Sequence, residues 1–173
     1  MTQMNRAAVL EKLETTPRRI ASVTRRLSDT ELNWQPAADS WSINEILAHL
    51  RCCADVWGES IRKILKQDQP AFRYVSPRGW IRKTNYLELE FKVSFLAFNT
   101  QRQELLKTLR ALPAEDWSRR AKVKAGARVR EETVLSYAWR LANHEFGHGE
   151  QIDRVLRALS LNERRSFNNE RNR

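Results

Sequence analysis

Glycine, proline, cysteine and histidine are all scarce in this chain, whose 173 residues include five Gly, five Pro, two Cys and three His. So little turn chemistry argues against a many-stranded sandwich or barrel and for long helices made from the abundant Leu, Ala, Glu, Arg and Lys. Cys52 and Cys53 are neighbours, a poor pair for a disulfide staple, so two reduced thiols and a cytoplasmic setting are expected. No apolar run approaches the roughly 20 residues that a bilayer span needs. Met1-Thr2-Gln3-Met4-Asn5-Arg6 leads into an amphipathic pattern without a continuous apolar segment, so no secretory leader is expected. What remains, 41% hydrophobic and 30% charged residues, is the composition of one globular domain able to bury a core.

The formal net charge of +10 raises the question of nucleic acid. The basic residues are spread over several segments, and aromatic residues are not interleaved with them as a base-stacking platform requires. Nucleic acid is therefore not the expected partner, and an anionic small molecule accounts for the charge as well. Six basic residues, Arg119, Arg120, Lys122, Lys124, Arg128 and Arg130, crowd one connection, where a solvated surface is the simplest reading.

Apolar residues recur at helical spacing in four segments. The first runs from about Met4 to Leu27 through Val9, Leu13, Ile20 and Val23, with Pro17 inside it, so a kink or break is expected near Thr16. The second opens at Ser42, which with Glu45 three residues on forms a capping box behind Trp41, and carries Ile43, Ile46, Leu47, Leu50, Trp57 and Ile61 towards Lys66. A connection from Gln67 to Thr84 follows, then a helix from Asn85 to Leu112, stopped by Pro113. A second connection, Ala114 to Arg130, precedes a helix from Glu131 or Glu132 to Leu159. The expectation is an all-α four-helix bundle spanning residues 1–160, followed by a polar, flexible tail at 161–173.

All three histidines fall on the inward stripes. His144 and His148, four apart, share one face of the fourth helix with Leu141, Ile152 and Val155, while His49 stands between Ile46 and Leu50 on the second. Three neutral imidazoles from two packed helices suit a divalent transition metal, zinc or nickel, with a position left open. Hydrogen-bonded core histidines are the competing reading. Cys53, four residues after His49, is a candidate fourth ligand or simply a small packed side chain. His144-Glu145-Phe146-Gly147-His148 also fits the metallopeptidase pattern H-E-x-x-H, in which Glu145 would serve as general base. The acidic residues downstream are too close on the same helix, or too near the polar tail, to supply a third ligand.

Trp41-Ser42-Ile43-Asn44-Glu45-Ile46-Leu47-Ala48-His49-Leu50 resembles the W-S-x-x-E-x-x-x-H segment of the DinB/YfiT-like metalloenzymes. Asn143-His144-Glu145-Phe146-Gly147-His148-Gly149-Glu150-Gln151-Ile152 resembles their second block, H-x-x-x-H followed by Gln and an aliphatic residue. The resemblance implies an up-down-down-up bundle with two long crossovers, often a homodimer, and His49, His144 and His148 as metal ligands. It also implies a metal-dependent transferase or hydrolase acting on a small molecule, in some members with a low-molecular-weight thiol. On this reading Glu145 is either a proton acceptor at the open face or a partner for an arginine.

Overall fold

The computed structural model of the chain describes residues 5–171, with the backbone alone at 166, 167 and 169–171. Its elements are α1 (Arg6–Thr24), α2 (Asp29–Asn33), α3 (Ile43–Lys66), β1 (Ala71–Arg73), α4 (Pro77–Ile81), α5 (Phe91–Ala111), β2 (Arg120–Ala125), β3 (Arg128–Thr133) and α6 (Val134–Arg171). Short 3-10 turns at Tyr86–Glu88 and Glu115–Ser118 lead into α5 and β2.

Side-chain pairs between helices fix their directions. Lys12 Nζ donates to Asn143 Oδ1 at 2.6 Å and Arg19 pairs with Asp153, so α1 and α6 run in parallel. Asn44 Nδ2 donates to the Leu89 carbonyl at 3.1 Å, and Asp55 accepts from Tyr86 and Gln101, so α3 is parallel to α5. Against α6, Trp41 meets His148 whereas Trp57 meets His144, so α3 and α6 are antiparallel. The order is up-down-down-up, and the step between the parallel helices α3 and α5 needs a long return path.

The two long connections, after α3 and after α5, differ from the loops expected of them. β1, from the first crossover, pairs in parallel with β2, and β2 pairs antiparallel with β3, giving one three-stranded sheet in an otherwise helical fold. The expected four-helix bundle is present, and this small sheet is added to it. The strand signal is short but present: Ala121 and Val123 are buried while Lys122 and Lys124, which alternate with them, are exposed, the period-two alternation of a half-covered strand. Register pairs Ala125 with Arg128, leaving Gly126-Ala127 as a two-residue loop, and Gly126 takes the positive φ of 61° that such a loop needs. Of the crowded basic residues, Arg120, Lys122 and Lys124 form the exposed face of β2, whereas Arg128 and Arg130 pair with Ala125 and Val123 and share their face.

Helix ends moved as well. Met4 lies outside the described residues, and α1 starts at Arg6 behind the Asn5 cap, whose side chain accepts from the Ala7 amide. No break occurs near Thr16: α1 passes through Pro17, which is buried along with Leu13 and Ile20, so packing on both sides of the proline holds the helix against one lost backbone hydrogen bond. α6 runs past Leu159 to Arg171. Of the tail expected at 161–173, Asn172, Arg173 and the side chains of residues 166, 167 and 169–171 lie outside the described residues.

The interior has two apolar clusters. One gathers Val9, Leu13, Trp57, Ile61, Ile64 and Tyr137 with Trp117, Ala121 and Val123 from the sheet side. The other surrounds Ile20, Ile43, Leu47, Phe98, Ile152 and Val155. Cys53 belongs to the first and Leu50 to the second, so the middle of α3 lies where the two meet.

At the start of α3 the capping box is complete: Ser42 Oγ accepts from the Glu45 amide at 3.2 Å, and Glu45 accepts from the Ser42 amide at 2.7 Å. Ser42→Ala is expected to cost about 1 kcal/mol of unfolding free energy. Urea titration checks this, with the midpoint falling and the slope unchanged.

Candidate metal centre

α3 and α6 bring the three histidines together, each from an inward stripe. His49 is buried, and His144 and His148 are half-buried. Every pair of rings is in contact, with centroids 5.1 Å apart for His49 and His144, 5.0 Å for His49 and His148, and 4.5 Å for His144 and His148. Trp41 packs on His49 and stacks on His148, and Trp57 meets His144 edge-on, so two indoles wall the cluster.

The Nε2 atoms of His49 and His144 lie 2.9 Å apart. Two bare lone pairs at that distance repel, so either a proton on one ring or a cation between them must separate the pair. Burial, reinforced by neighbouring positive charge, holds both imidazoles down at a pKa of about 4, so they are neutral at pH 7. His148 is also held below its ordinary value, chiefly by burial. Its Nδ1 donates to Gln151 Oε1 at 2.7 Å, which leaves the Nε2 lone pair free. A hydrogen bond that fixes one ring nitrogen and frees the other is the usual orientation device behind a metal-bound histidine.

The donor set fits a small transition metal. Two imidazole nitrogens bound to one tetrahedral zinc lie about 3.3 Å apart, close to the spacing of His49 and His144. Cys53 Sγ lies 3.5 Å from His49 Nε2, against about 3.5 Å for a thiolate and an imidazole on one such ion. Donor atoms of His49, Cys53 and His144 all fall within 4.8 Å of one another. The thiol of Cys53 is pushed well above its ordinary pKa, mainly by burial, so without a cation it stays protonated.

Glu145 is turned elsewhere. One residue past His144 it projects about 100° round the helix, towards α5, where it is fully buried and ion-paired with Arg102. Burial raises its carboxyl to about 7 against the pull of Arg102, whose own pKa burial lowers. Arg102 Nε and Nη1 and Glu145 Oε2 have no hydrogen-bond partner among the described residues. This arginine pairing is the alternative left open for Glu145, and it takes the carboxylate away from the cluster.

Other polar neighbours have structural roles. Asn143 joins α6 to Lys12 of α1, and Glu150 is exposed. Sequence reasoning missed Arg102, although Phe98, Arg102, Leu105 and Leu109 follow one helical stripe and a charge on such a stripe signals a buried partner. A pocket of about 590 Å³ opens on the cluster at His148, between Trp41 and Gln151. A larger groove of about 740 Å³ between α1 and α5 is lined by Leu13, Pro17, Phe95 and Arg102 and includes no histidine or cysteine.

A model of the DinB superfamily matches residues 12–152. The chain belongs to that superfamily. It is similar to BH0277 of Halalkalibacterium halodurans, named as a candidate metal-dependent hydrolase, with 23% identity over 143 residues that cover 82% of each chain. Its fold is similar to that of YfiT from Bacillus subtilis, described as a candidate metal-dependent hydrolase with an unusual four-helix bundle topology (TM-score 0.67, 16% identity, 90% of each chain covered). It is also similar in fold to a mycothiol-dependent maleylpyruvate isomerase (TM-score 0.66, 13% identity), with 88% of this chain and 63% of that one covered. None of the helices among the described residues is long and apolar enough to cross a membrane.

The buried ion pair gives a sharp stability test. Arg102→Leu alone leaves a carboxylate buried without its cation and is expected to destabilise the fold by about 3–5 kcal/mol. Combining it with Glu145→Leu removes the stranded charge, and most of the loss should return. Thermal or urea unfolding of the two variants measures both values.

Proposed function

We propose that this protein is a metal-dependent enzyme in which His49, His144 and His148 hold one divalent transition metal, zinc or nickel, and a small-molecule substrate is transferred or hydrolysed. The carrying observation is the mutual contact of three neutral imidazoles from α3 and α6, one of which, His148, lines a pocket. A divalent ion held by neutral ligands alone keeps its full charge and supplies Lewis-acid activation of a nucleophile at neutral pH. The protein's own contribution is orientation and water exclusion: Gln151 fixes the His148 tautomer, and Trp41 and Trp57 cover the rings.

The proposal includes a low-molecular-weight thiol as co-substrate, supported by the mycothiol-dependent isomerase among the fold relatives. It also includes a homodimer, for which Val93 and Leu96 offer exposed apolar positions on α5. Glu145 is assigned to the bundle core rather than to proton transfer, because Arg102 holds it there. The metallopeptidase reading of H-E-x-x-H loses its general base by the same assignment.

A second reading has one observation in its favour. The 3.5 Å separation of Cys53 Sγ and His49 Nε2 suits a closed site in which the thiolate is a fourth ligand and the metal stabilises the bundle without catalysis.

Metal analysis of the purified protein after reconstitution with zinc or nickel tests the proposal. It predicts about one ion per chain, lost in His144→Ala. Equal, trace metal in both would refute it. Cys53→Ser should retain the metal if the site is open and lose most of it if the second reading holds. Gln151→Ala, which frees the His148 ring, should weaken metal affinity by about 10–100-fold, as measured by competition with a chromogenic chelator.

A further inference from the structure

The pocket above His148 carries two arginines from different parts of the chain. Arg78 comes from α4 and Arg154 from α6, and both line the cavity with Trp41, His148, Gln151 and Asp39. α4 is fixed to the bundle at its first residue: Pro77 is buried, and its carbonyl accepts from Cys52 Sγ at 3.2 Å. Arg78 thus stands on a short but anchored helix. Both guanidinium groups are exposed, and neither makes a hydrogen bond or an ion pair among the described residues. Other arginines behave differently, with Arg62 of α3 engaging Glu59 and Arg140 of α6 engaging Glu132. Asp39 shares the pocket without pairing with either arginine, so two positive charges face one negative one.

We infer that this pocket recognises a small molecule with a terminal carboxylate or phosphate, gripped between Arg78 and Arg154 while the rest of the molecule reaches towards His148. The inference rests on the proposed function for the meaning of that reach, and on the pocket alone for the grip. Planar guanidinium forks match carboxylate and phosphate oxygens in pairs, and two of them from separate elements define a direction as well as a charge. A volume of about 590 Å³ is the size of a small-molecule site. Cys52 gains a positioning role through its hold on α4.

Isothermal titration of succinate and of inorganic phosphate into metal-free protein tests the grip, with succinate repeated on the zinc-loaded form. Binding of at least one anion is expected, weakening as salt is raised. It should fall by roughly tenfold or more in Arg78→Gln and again in Arg154→Gln, the effect of losing a charge-assisted hydrogen bond. Lys122→Gln, on the outer face of the sheet, should leave it unchanged. Whichever anion binds identifies the head group. No binding of either, or binding untouched in the double variant, overturns the inference. Because the metal-free measurement is independent of the ion, anion binding that persists in a protein shown to hold no metal would remove the proposed function and leave this inference standing.

Discussion

Three imidazoles packed ring against ring in the middle of a bundle are a constraint before they are a site. Each takes a position that an aliphatic residue could fill at less cost, since a buried polar ring needs partners for its nitrogens. Burial keeps the rings neutral, and neutrality is what allows three of them to share one small space. Much of the surrounding architecture serves that arrangement. α3 and α6 must be antiparallel neighbours in one register for His49 to meet both His144 and His148, and the completed capping box at Ser42 helps to set where α3 begins.

The second buried polar feature, Arg102 with Glu145, lies on an adjoining face of α6 and solves a different problem. A carboxylate next to a cluster of ligating groups competes for the same cation, and its turn towards α5 removes it from that competition. The arrangement costs desolvation on both partners and leaves three polar atoms without a hydrogen bond among the described residues. Such pairs add little to stability beyond what apolar residues of the same volume supply, and they fix the orientation of the helices that carry them. Here the consequence is that the motif shared with metallopeptidases is spatially split, with its histidines facing α3 and its glutamate facing α5.

Much of this was legible in the sequence because the signals were periodic. The four helical stripes, the Ser42 capping box and the inward placement of all three histidines follow from 3.6-residue spacing alone, and the topology followed from the family resemblance. The sheet was harder to read because its strands are short and highly charged, and β1 has a partner that lies far along the chain, which no local pattern can show. Pro17 misled because its local cost was outweighed by packing that only the folded bundle supplies. At the site, Arg78 was hidden inside a connection without periodicity, and Arg102 was passed over because a charge on an apolar stripe reads as an interruption rather than as half of a pair.

The central claim is that three imidazole nitrogens converge on one ion. X-ray absorption at the metal edge of zinc- or nickel-reconstituted protein reads the donor set directly. The account predicts a shell dominated by three imidazoles at about 2.0–2.1 Å with no sulfur scatterer. A sulfur shell at about 2.3 Å would show Cys53 bound and the site closed, and a shell of light atoms without imidazole scattering would place the ion elsewhere and contradict the account.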